Sequence, residues 1–417
     1  MNHYLSNYRF GGRLFESAPK TNTELIVVIP CYNEVSLIAS LEALLACENK
    51  SEYSVEVIVV VNASETETDE IKELNQKTFN EATIWAKENS NDWINFLVYL
   101  NNDLPKKHAG VGLARKIGMD EAVDRFEQID NQKGIIVCFD ADSKCDSNYL
   151  VEIQKHFSVN PKANGASIQF EHPIEGDEFS REIYDGIVLY ELFLRYYRQA
   201  FKYTEHPQAY HTVGSSMAVT TKAYQMQTGM NKRKAGEDFY FLQKIIQLGN
   251  FIEINTTRVI PSPRTSDRVP FGTGRALLEF IDGRDLKSAY SFQSFIEIKN
   301  FIEAIFREYR EGGDFGDSFI ENLSACMKSF LQDSDFRTRS QDLRQYGKNE
   351  VTFSKRFYNW FNAFRVLKFV HYSRDHFYPN GDLLNECMQV LASTSDSIDT
   401  TTEIEMLEKY RALDRIG

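Results

Sequence analysis

Four short runs rich in β-branched residues constrain the first half of the chain most strongly: Leu25–Pro30 (LIVVIP), Val55–Asn62 (VEVIVVVN), Ile94–Asn101 (INFLVYLN) and Ile135–Phe139 (IIVCF). Their apolar residues are nearly continuous rather than alternating, as in strands covered on both faces. The segments between them carry helical spacing. Leu37, Ile38, Leu41, Leu44 and Leu45 recur at three and four, a long polar helix is expected near Glu65–Glu88, and another over Val111–Phe126. Strand and helix in regular alternation predict an α/β domain with a mostly parallel, Rossmann-type sheet flanked by helices.

The texture changes after Arg275. Strand-like runs disappear, and apolar residues recur at helical spacing, first as Phe292, Phe295, Ile296, Ile298, Phe301, Ile302, Ile305 and Phe306. A second stripe runs Phe353, Phe357, Trp360, Phe361, Phe364 and Leu367. Stripes of this kind are core faces of packed helices. The expected organisation is an arm over residues 1–22, an α/β domain over 23–274 and a helical C-terminal region over 275–417, with a polar linker at Ser393–Thr402.

Of 417 residues, 60 are acidic and 47 are Lys or Arg, a formal charge of −13. An acidic surface disfavours nucleic acid and anionic membranes as partners. Residues 1–19 lack the continuous apolar core of a signal peptide. The most apolar long segment, Ile187–Tyr197, is interrupted by Glu191 and Arg195, so no transmembrane segment is expected. The six cysteines form no CxxC, and Cys31 and Cys138 sit in or beside strand-like runs as small core residues. A cytoplasmic location is the expectation.

In open parallel sheets ligands gather at the carboxyl ends of the strands. Polar residues cluster at those ends here, at Tyr32–Glu34, Asn62–Ser64, Asn101–Asp103 and Asp140–Asp142. Asp140-Ala141-Asp142 places two carboxylates one residue apart where a buried strand stops. Such a pair can hold one hard divalent cation, which in turn can bridge the phosphates of a nucleotide. A turn or helix cap also favours Asp and Ser at such a place.

Glu237 and Asp238 follow Gly236 and precede the helical stretch Phe241, Leu242, Ile245, Ile246 and Leu248. Acidic residues in a first helical turn complement the helix dipole. A carboxylate held beside a hydroxyl can also take its proton, which makes Asp238 a candidate general base. Lys106, Lys107 and Arg115 surround Gly110 and Gly112 in a pattern that is neither a P-loop nor GxGxxG, yet suits phosphate contact. Arg258, Arg264 and Arg268 lie in or beside the Pro/Gly-punctuated stretch Pro261–Gly274, which has the character of a lid closing over an anion. His371 and His376 lack HExxH spacing, and no GxSxG occurs.

Val28-Ile29-Pro30-Cys31-Tyr32-Asn33-Glu34 resembles the first-strand signature of family-2-type glycosyltransferases with the GT-A fold, which are nucleotide-diphospho-sugar transferases. Asn62-Ala63-Ser64, Ala114-Arg115-Lys116-Ile117-Gly118, Asp140-Ala141-Asp142, Gly214-Ser215-Ser216-Met217 and Glu237-Asp238 are similar to later motifs of that family, in the same order. The resemblance covers roughly residues 23–270. It implies transfer of a sugar from a nucleoside-diphosphate-sugar donor to a hydroxyl acceptor, which would be a saccharide, a lipid carrier or a small molecule. It implies donor contacts from Pro30, Tyr32, Asn33, Glu34, Asn62, Arg115, Asp140 and Ala141. Asp140 and Asp142 would hold Mn²⁺ or Mg²⁺, with Lys107, Arg264 and Arg268 at the diphosphate. Gly214, Ser215 and Ser216 would lie on the acceptor side. Asp238, beside Glu237, would be the catalytic base of an inverting displacement.

This chain has Asn62 where the family usually has Asp, and no histidine between His211 and His371, where the family often completes its metal site. A sugar-nucleotide or nucleotidyl transferase is the alternative enzyme, although Cys31-Tyr32-Asn33-Glu34 stands where that class carries a Gly-rich basic motif. A catalytically degenerate nucleotide-sugar-binding protein is the other alternative. The helical region is a candidate surface for homo-oligomer formation.

Overall fold

The computed structural model describes residues 2–49, 52–268, 270, 272–394, 400 and 402–416. Most of the Ser393–Thr402 linker, and Val269 and Phe271 of the expected lid, therefore lie outside the described residues. In chain order the elements up to residue 281 are α1 (His3–Asn7), β1 (Thr23–Cys31), α2 (Leu37–Leu45), β2 (Ser54–Ser64), α3 (Asp69–Asn89), β3 (Ile94–Leu104), α4 (Val111–Gln128), β4 (Ile135–Cys138), β5 (Lys144–Cys145), α5 (Tyr149–Val159), β6 (Gly165–Phe170), α6 (Arg181–Tyr203), β7 (Met217–Thr220), α7 (Thr221–Met226), α8 (Glu237–Ile246), β8 (Phe251–Ile260) and α9 (Thr273–Ile281). The four strands expected from the apolar runs are β1 to β4. The helix expected near Glu65–Glu88 begins instead at Asp69, because β2 runs on to Ser64 and a turn follows.

The strands make one eight-stranded sheet in the order β3-β2-β1-β4-β7-β6-β8-β5. The pairs β3/β2, β2/β1, β1/β4 and β6/β8 are parallel. Only β7, between β4 and β6, and the short edge strand β5 run the other way. The architecture is thus α/β with a mostly parallel sheet, as the alternation predicts, and a helical C-terminal region. Every residue of β1 from Leu25 to Ile29 is fully buried, as a central strand with cover on both faces requires. Val28 pairs with Ile58 on one side and with Cys138 on the other. This register brings the ends of β1, β2 and β4 to one edge of the sheet, with Asp140 two residues beyond Cys138.

Helix α4 lies against that central region. A Cβ on Gly118 would stand 2.4 Å from Val28 Cγ1 and 3.2 Å from Val60 Cγ2, so the helix packs at a distance that only glycine permits. A stripe of Lys116, Asp120, Glu121 and Asp124 on α4 is buried as well, because residues 4–14 of the arm cover it. Tyr4 Oη donates to Asp120 Oδ1 at 2.5 Å, Arg9 Nη2 to Glu121 Oε2 at 2.6 Å, and the Leu14 amide to Glu121 Oε2 at 2.9 Å. One turn further, Arg125 donates two hydrogen bonds to Glu56 of β2. These charges are buried in opposite-sign pairs, which lowers their desolvation cost, although Glu121 Oε1 accepts no hydrogen bond and has Arg125 Nη1 only at 3.9 Å.

The chain divides into two compact units. The first comprises Met1–Tyr184, His211–Leu278 and Asp414–Gly417, and holds the sheet. The second comprises Asp185–Tyr210 and Glu279–Leu413. Its further elements are β9 (Ser288–Ala289), α10 (Phe292–Arg310), α11 (Asp317–Glu321), α12 (Ala325–Gln332), α13 (Phe336–Tyr346), α14 (Glu350–Trp360), α15 (Ala363–His376), β10 (Gly381–Asp382), α16 (Leu383–Ser393) and α17 (Glu403–Ile416). The expected aromatic stripes form its core, with Phe301 packed on Phe336, Phe357 and Phe361 at centroid distances of 6.0, 5.9 and 5.1 Å. The second stripe is divided between α14 and α15, because Asn362 accepts a hydrogen bond from the Arg365 amide and starts a new helix. Glu191 and Arg195, which interrupt the apolar segment of α6, pair with each other at 2.9 Å, and Arg411 donates to both Glu191 oxygens. Among the described residues no helix is long and apolar enough to cross a membrane.

Candidate active site

The edge of the sheet where β1, β2 and β4 end carries a continuous cluster of charged side chains. Its central member is Arg115, in the second turn of α4 and only 3% exposed. Its Nη2 donates to Asp140 Oδ1 at 2.6 Å, and its Nη1 to Glu237 Oε1. Gly214 makes room for this: a Cβ there would lie 2.4 Å from Arg115 Nη1. One guanidinium thus ties the end of β4 to the first turn of α8 beneath the backbone that leads into β7.

Glu237 and Asp238 open α8 after Gly236, whose positive φ of 68° is a conformation suited to glycine. Neither acid caps the helix from the N-cap position, and Glu237 is 2% exposed. Burial pushes the Glu237 carboxyl up to about 7, against the pull of Arg115 and with the help of Asp238. Burial also raises Asp238, opposed by Arg115 and by backbone N–H groups of Phe239 and Gly214. The Phe239 amide donates to Asp238 Oδ1 at 2.7 Å. Asn231 fixes the preceding loop, its Nδ2 donating to the Glu237 carbonyl at 2.8 Å.

A second ionic group stands beside the first. Glu34, 1% exposed, accepts from Arg264 and Arg268 and from the Ser36 amide at 2.8 Å. Arg264 Nε also donates to Asp142 Oδ2 at 2.7 Å, and Arg268 Nη1 to the Tyr32 carbonyl at 2.9 Å. Both arginines come from the stretch after β8, so this part of the expected lid lies on the acidic strand ends. Arg258 does not share that role. It is a residue of β8 and pairs with Glu171 at 2.6 Å and Asp146 at 3.1 Å.

Asp142 is raised by burial, with Arg264 pulling it back and Asp140 and Glu34 pushing it further. Five carboxylates (Glu34, Asp140, Asp142, Glu237, Asp238) face three guanidiniums (Arg115, Arg264, Arg268), so the cluster is richer in negative than in positive groups. Hard oxygen donors in excess suit a divalent cation, and the Arg264 guanidinium already places positive charge on Asp142. Among the described residues no group of three or more His, Cys, Asp or Glu converges as a complete metal centre. The chain's own contribution to a cation would therefore be Asp140 and Asp142, whose side chains are 37% and 23% exposed.

Residues 26–225 match the model of glycosyl transferase family 2. This domain belongs to glycosyl transferase family 2. A glycosyltransferase domain is a transferase domain, so the chain is an enzyme of that class. Among solved structures, S. aureus TarS 1-349 in complex with UDP-GlcNAc is 13% identical, with 80% of this chain and 90% of that chain covered and a TM-score of 0.38. The mannosyltransferase PcManGT from Pyrobaculum calidifontis, in complex with GDP-Man and Mn2+, is 13% identical over 60% of this chain and 63% of that one, with a TM-score of 0.33. No curated protein matches the chain.

The remaining expected site residues of the glycosyltransferase domain fall around this cluster in different ways. Pro30 is a β1 residue, level with Val60. Tyr32 Oη donates to Glu67 Oε2 at 2.8 Å, and burial pushes its hydroxyl up to about 12. Asn33 has a φ of 49° and donates its amide to Asn75 Oδ1 at 3.0 Å. Asn62 is 3% exposed, and its side-chain amide donates to the carbonyls of Cys31 and Val60 at 3.0 and 3.3 Å. Asn75, which donates to the Asn62 carbonyl at 3.0 Å, is the partner that sequence reasoning missed. Its polar side chain within α3 is a signal only once β2 is placed beside it. Ala141 is 6% exposed. Ser215 and Ser216 are buried, with hydroxyls 3.5 Å apart. Lys107 stands exposed on the turn before α4 and is not part of the cluster's ion pairs.

Proposed function

We propose that the glycosyltransferase domain moves a sugar from a nucleoside-diphosphate-sugar donor to a hydroxyl acceptor, with inversion, and that Asp238 is the general base. The observation that carries this reading is the single buried Arg115 joining Asp140 of the Asp-Ala-Asp motif to Glu237 beside Asp238. Two chemical tasks are thereby held together: binding a leaving diphosphate and accepting a proton.

In the reaction the acceptor hydroxyl gives its proton to an Asp238 oxygen as its own oxygen bonds to the sugar C1. The C1–O bond to the diphosphate breaks on the opposite side, and the electron pair leaves with the nucleoside diphosphate. A divalent cation held by Asp140 and Asp142 would supply charge neutralisation on that group. Arg264 and Arg268 would exchange their carboxylate partners for phosphate oxygens, since guanidinium matches both geometrically. Glu34, released from them, lies with Tyr32, Asn33 and the backbone at Pro30 and Ala141 where the nucleoside would bind. Arg115 and Asn62, both buried and paired, act as positioning residues and not as direct donor contacts. Glu237 keeps Arg115 oriented, and the backbone at Gly214, Ser215 and Ser216 forms the acceptor side. A raised carboxyl such as Asp238 is a better proton acceptor than an ordinary one.

A cytoplasmic location is part of the same reading, and the free thiols of Cys31, Cys47, Cys138, Cys145, Cys326 and Cys387 suit a reducing compartment. The test is transfer from UDP- and GDP-linked hexoses, with Mn²⁺ or Mg²⁺, by wild type, Asp142→Ala and Asp238→Asn. Turnover lost in both variants supports the reading. Equal turnover in all three proteins refutes it, and donor binding without turnover in wild type points to a nucleotide-sugar-binding protein.

A further inference from the structure

The loop that precedes the proposed base carries three consecutive exposed cations, Lys232, Arg233 and Lys234. Its backbone is held firmly. A Cβ on Gly112 would lie 2.3 Å from the Arg233 carbonyl oxygen and 3.0 Å from Glu237 Cβ, and one on Gly110 would lie 3.0 Å from Lys234 Cα. The Arg233 amide donates to Asn231 Oδ1 at 3.2 Å, and Asn231 in turn holds the Glu237 carbonyl. The loop is therefore clamped between the start of α4 and the residue next to Asp238.

The same close approach brings in the turn before α4, where Lys106 and Lys107 are exposed. The turn is closed by the amides of His108 and Ala109, which donate to the Pro105 carbonyl at 2.8 and 2.9 Å. Lys106, Lys107, Arg233 and Lys234 thus stand on these two clamped segments, and none of their side chains has a carboxylate partner among the described residues, while Lys232 lies over the Phe10 ring, 4.9 Å from its centroid. Arg233 instead lies over the Tyr240 ring, 3.6 Å from its centroid, and Tyr240 is 37% exposed. The Tyr240 ring thus holds the guanidinium in place of a carboxylate, which leaves its N–H groups for an anionic group of a ligand.

We infer that these two segments bind the acceptor, and that the acceptor is an anionic saccharide carrying phosphate or carboxylate groups. The inference rests on the proposed role of Asp238. A hydroxyl delivered to that carboxylate belongs to a molecule whose flanking part meets the adjoining loop. The chain's net charge of −13 repels an anion at long range, so a local group of unpaired cations is the element that can draw one in. Arg264 and Arg268 serve the donor phosphates separately, so the two anionic substrates are given different cations.

The experiment is titration calorimetry of the full chain, without metal, at low and at physiological salt. The probes are tripolyphosphate for the phosphate arm, trigalacturonate for the carboxylate arm and maltotriose as the neutral control. The expected result is binding of at least one anionic probe, weakened by salt, and none of maltotriose. In the triple variant Lys232→Ser/Arg233→Ser/Lys234→Ser that affinity falls about tenfold, as loss of several exposed charge contacts implies. Binding of both anions as tightly by the variant as by wild type, or no binding of either anion by wild type, overturns the inference. A thermal shift with UDP and Mn²⁺ on both proteins keeps the two readings apart. An equal shift in both proteins leaves the donor site intact. No shift in either counts against the glycosyl-transfer reading, while the calorimetry still decides whether the two segments bind anions.

Discussion

Replacing Arg115 with Met removes the cation that Glu237 pairs with among the described residues and keeps most of the side-chain volume. Glu237 is 2% exposed and Arg115 3%, so solvent screens their pairing little. Breaking a buried pair by deleting one partner costs about 3–5 kcal/mol, because a charge is left without compensation. That cost applies only where Glu237 is ionised, and a carboxyl that can take up a proton instead limits it to about 1.4 kcal/mol for each pH unit above its wild-type value. Its carboxyl sits at about 7 in the folded chain against an ordinary 4.5, and Arg115 is the group that pulls it down. In Arg115→Met the carboxyl therefore moves above about 7.

The sign follows from proton counting. Between about 4.5 and 7 the folded state holds a proton on Glu237 that the unfolded chain has lost. Wild-type stability from this group is therefore full below about 4.5 and falls as pH rises through 7, by about 1.4 kcal/mol per pH unit. In the variant the fall continues to higher pH. Near pH 5 both proteins carry a neutral Glu237, so the substitution costs little beyond the Asp140 contact. Near pH 8 only wild type retains a compensated carboxylate, and the variant has lost about 1.4 kcal/mol more than wild type, one pH unit of further fall beyond about 7. Urea unfolding of both proteins at the two pH values, with matched m-values, measures it. A destabilisation of equal size at both pH values refutes the coupling of Arg115 to Glu237.

Gly214→Ala places a methyl 2.4 Å from Arg115 Nη1, so the guanidinium must shift; a loss of about 1–3 kcal/mol is expected by urea unfolding, with unchanged helical circular dichroism. Glu34→Gln takes the shared carboxylate from Arg264 and Arg268 and should free the segment after β8, read as faster limited proteolysis at residues 261–268; an unchanged cleavage rate counts against the clasp. Gly118→Ala drives a methyl into Val28 and Val60, and should lower stability by about 1–3 kcal/mol without altering the pH dependence described for Glu237.

What the sequence reveals here follows how local the cause is. The runs at 25–30, 55–62, 94–101 and 135–139 announce β1 to β4 because a strand covered on both faces must be apolar along its own length. Asp140 and Asp142 are legible for the same reason, being the first charges after the last of those runs. Strand β7 is not, since MAVT has only four residues and owes its antiparallel place to the β4 and β6 edges already waiting for it. Arg115 is legible as a basic residue at a helix start but not as a buried one. Its partner Glu237 is 122 positions away, and the space it occupies depends on Gly214 having no side chain. Arg258 shows the converse, since its spacing groups it with Arg264 and Arg268 while β8 turns it toward Glu171.

The arm laid along α4 has a consequence for the order in which this chain is assembled. Arg9, Phe10 and Leu14 meet partners 112, 110 and 107 positions later, whereas β1 and β2 join across about thirty. Closing the longer loop costs more entropy, and during synthesis its far end does not yet exist when the arm leaves the ribosome. Strands β1, β2 and β3 can pair while the arm waits, and α4 can settle on them with its charged stripe still wet. Docking of Tyr4 to Leu14 is then a late step that seals the helix carrying Arg115. Made well before their partners, these residues are among the last to find their places.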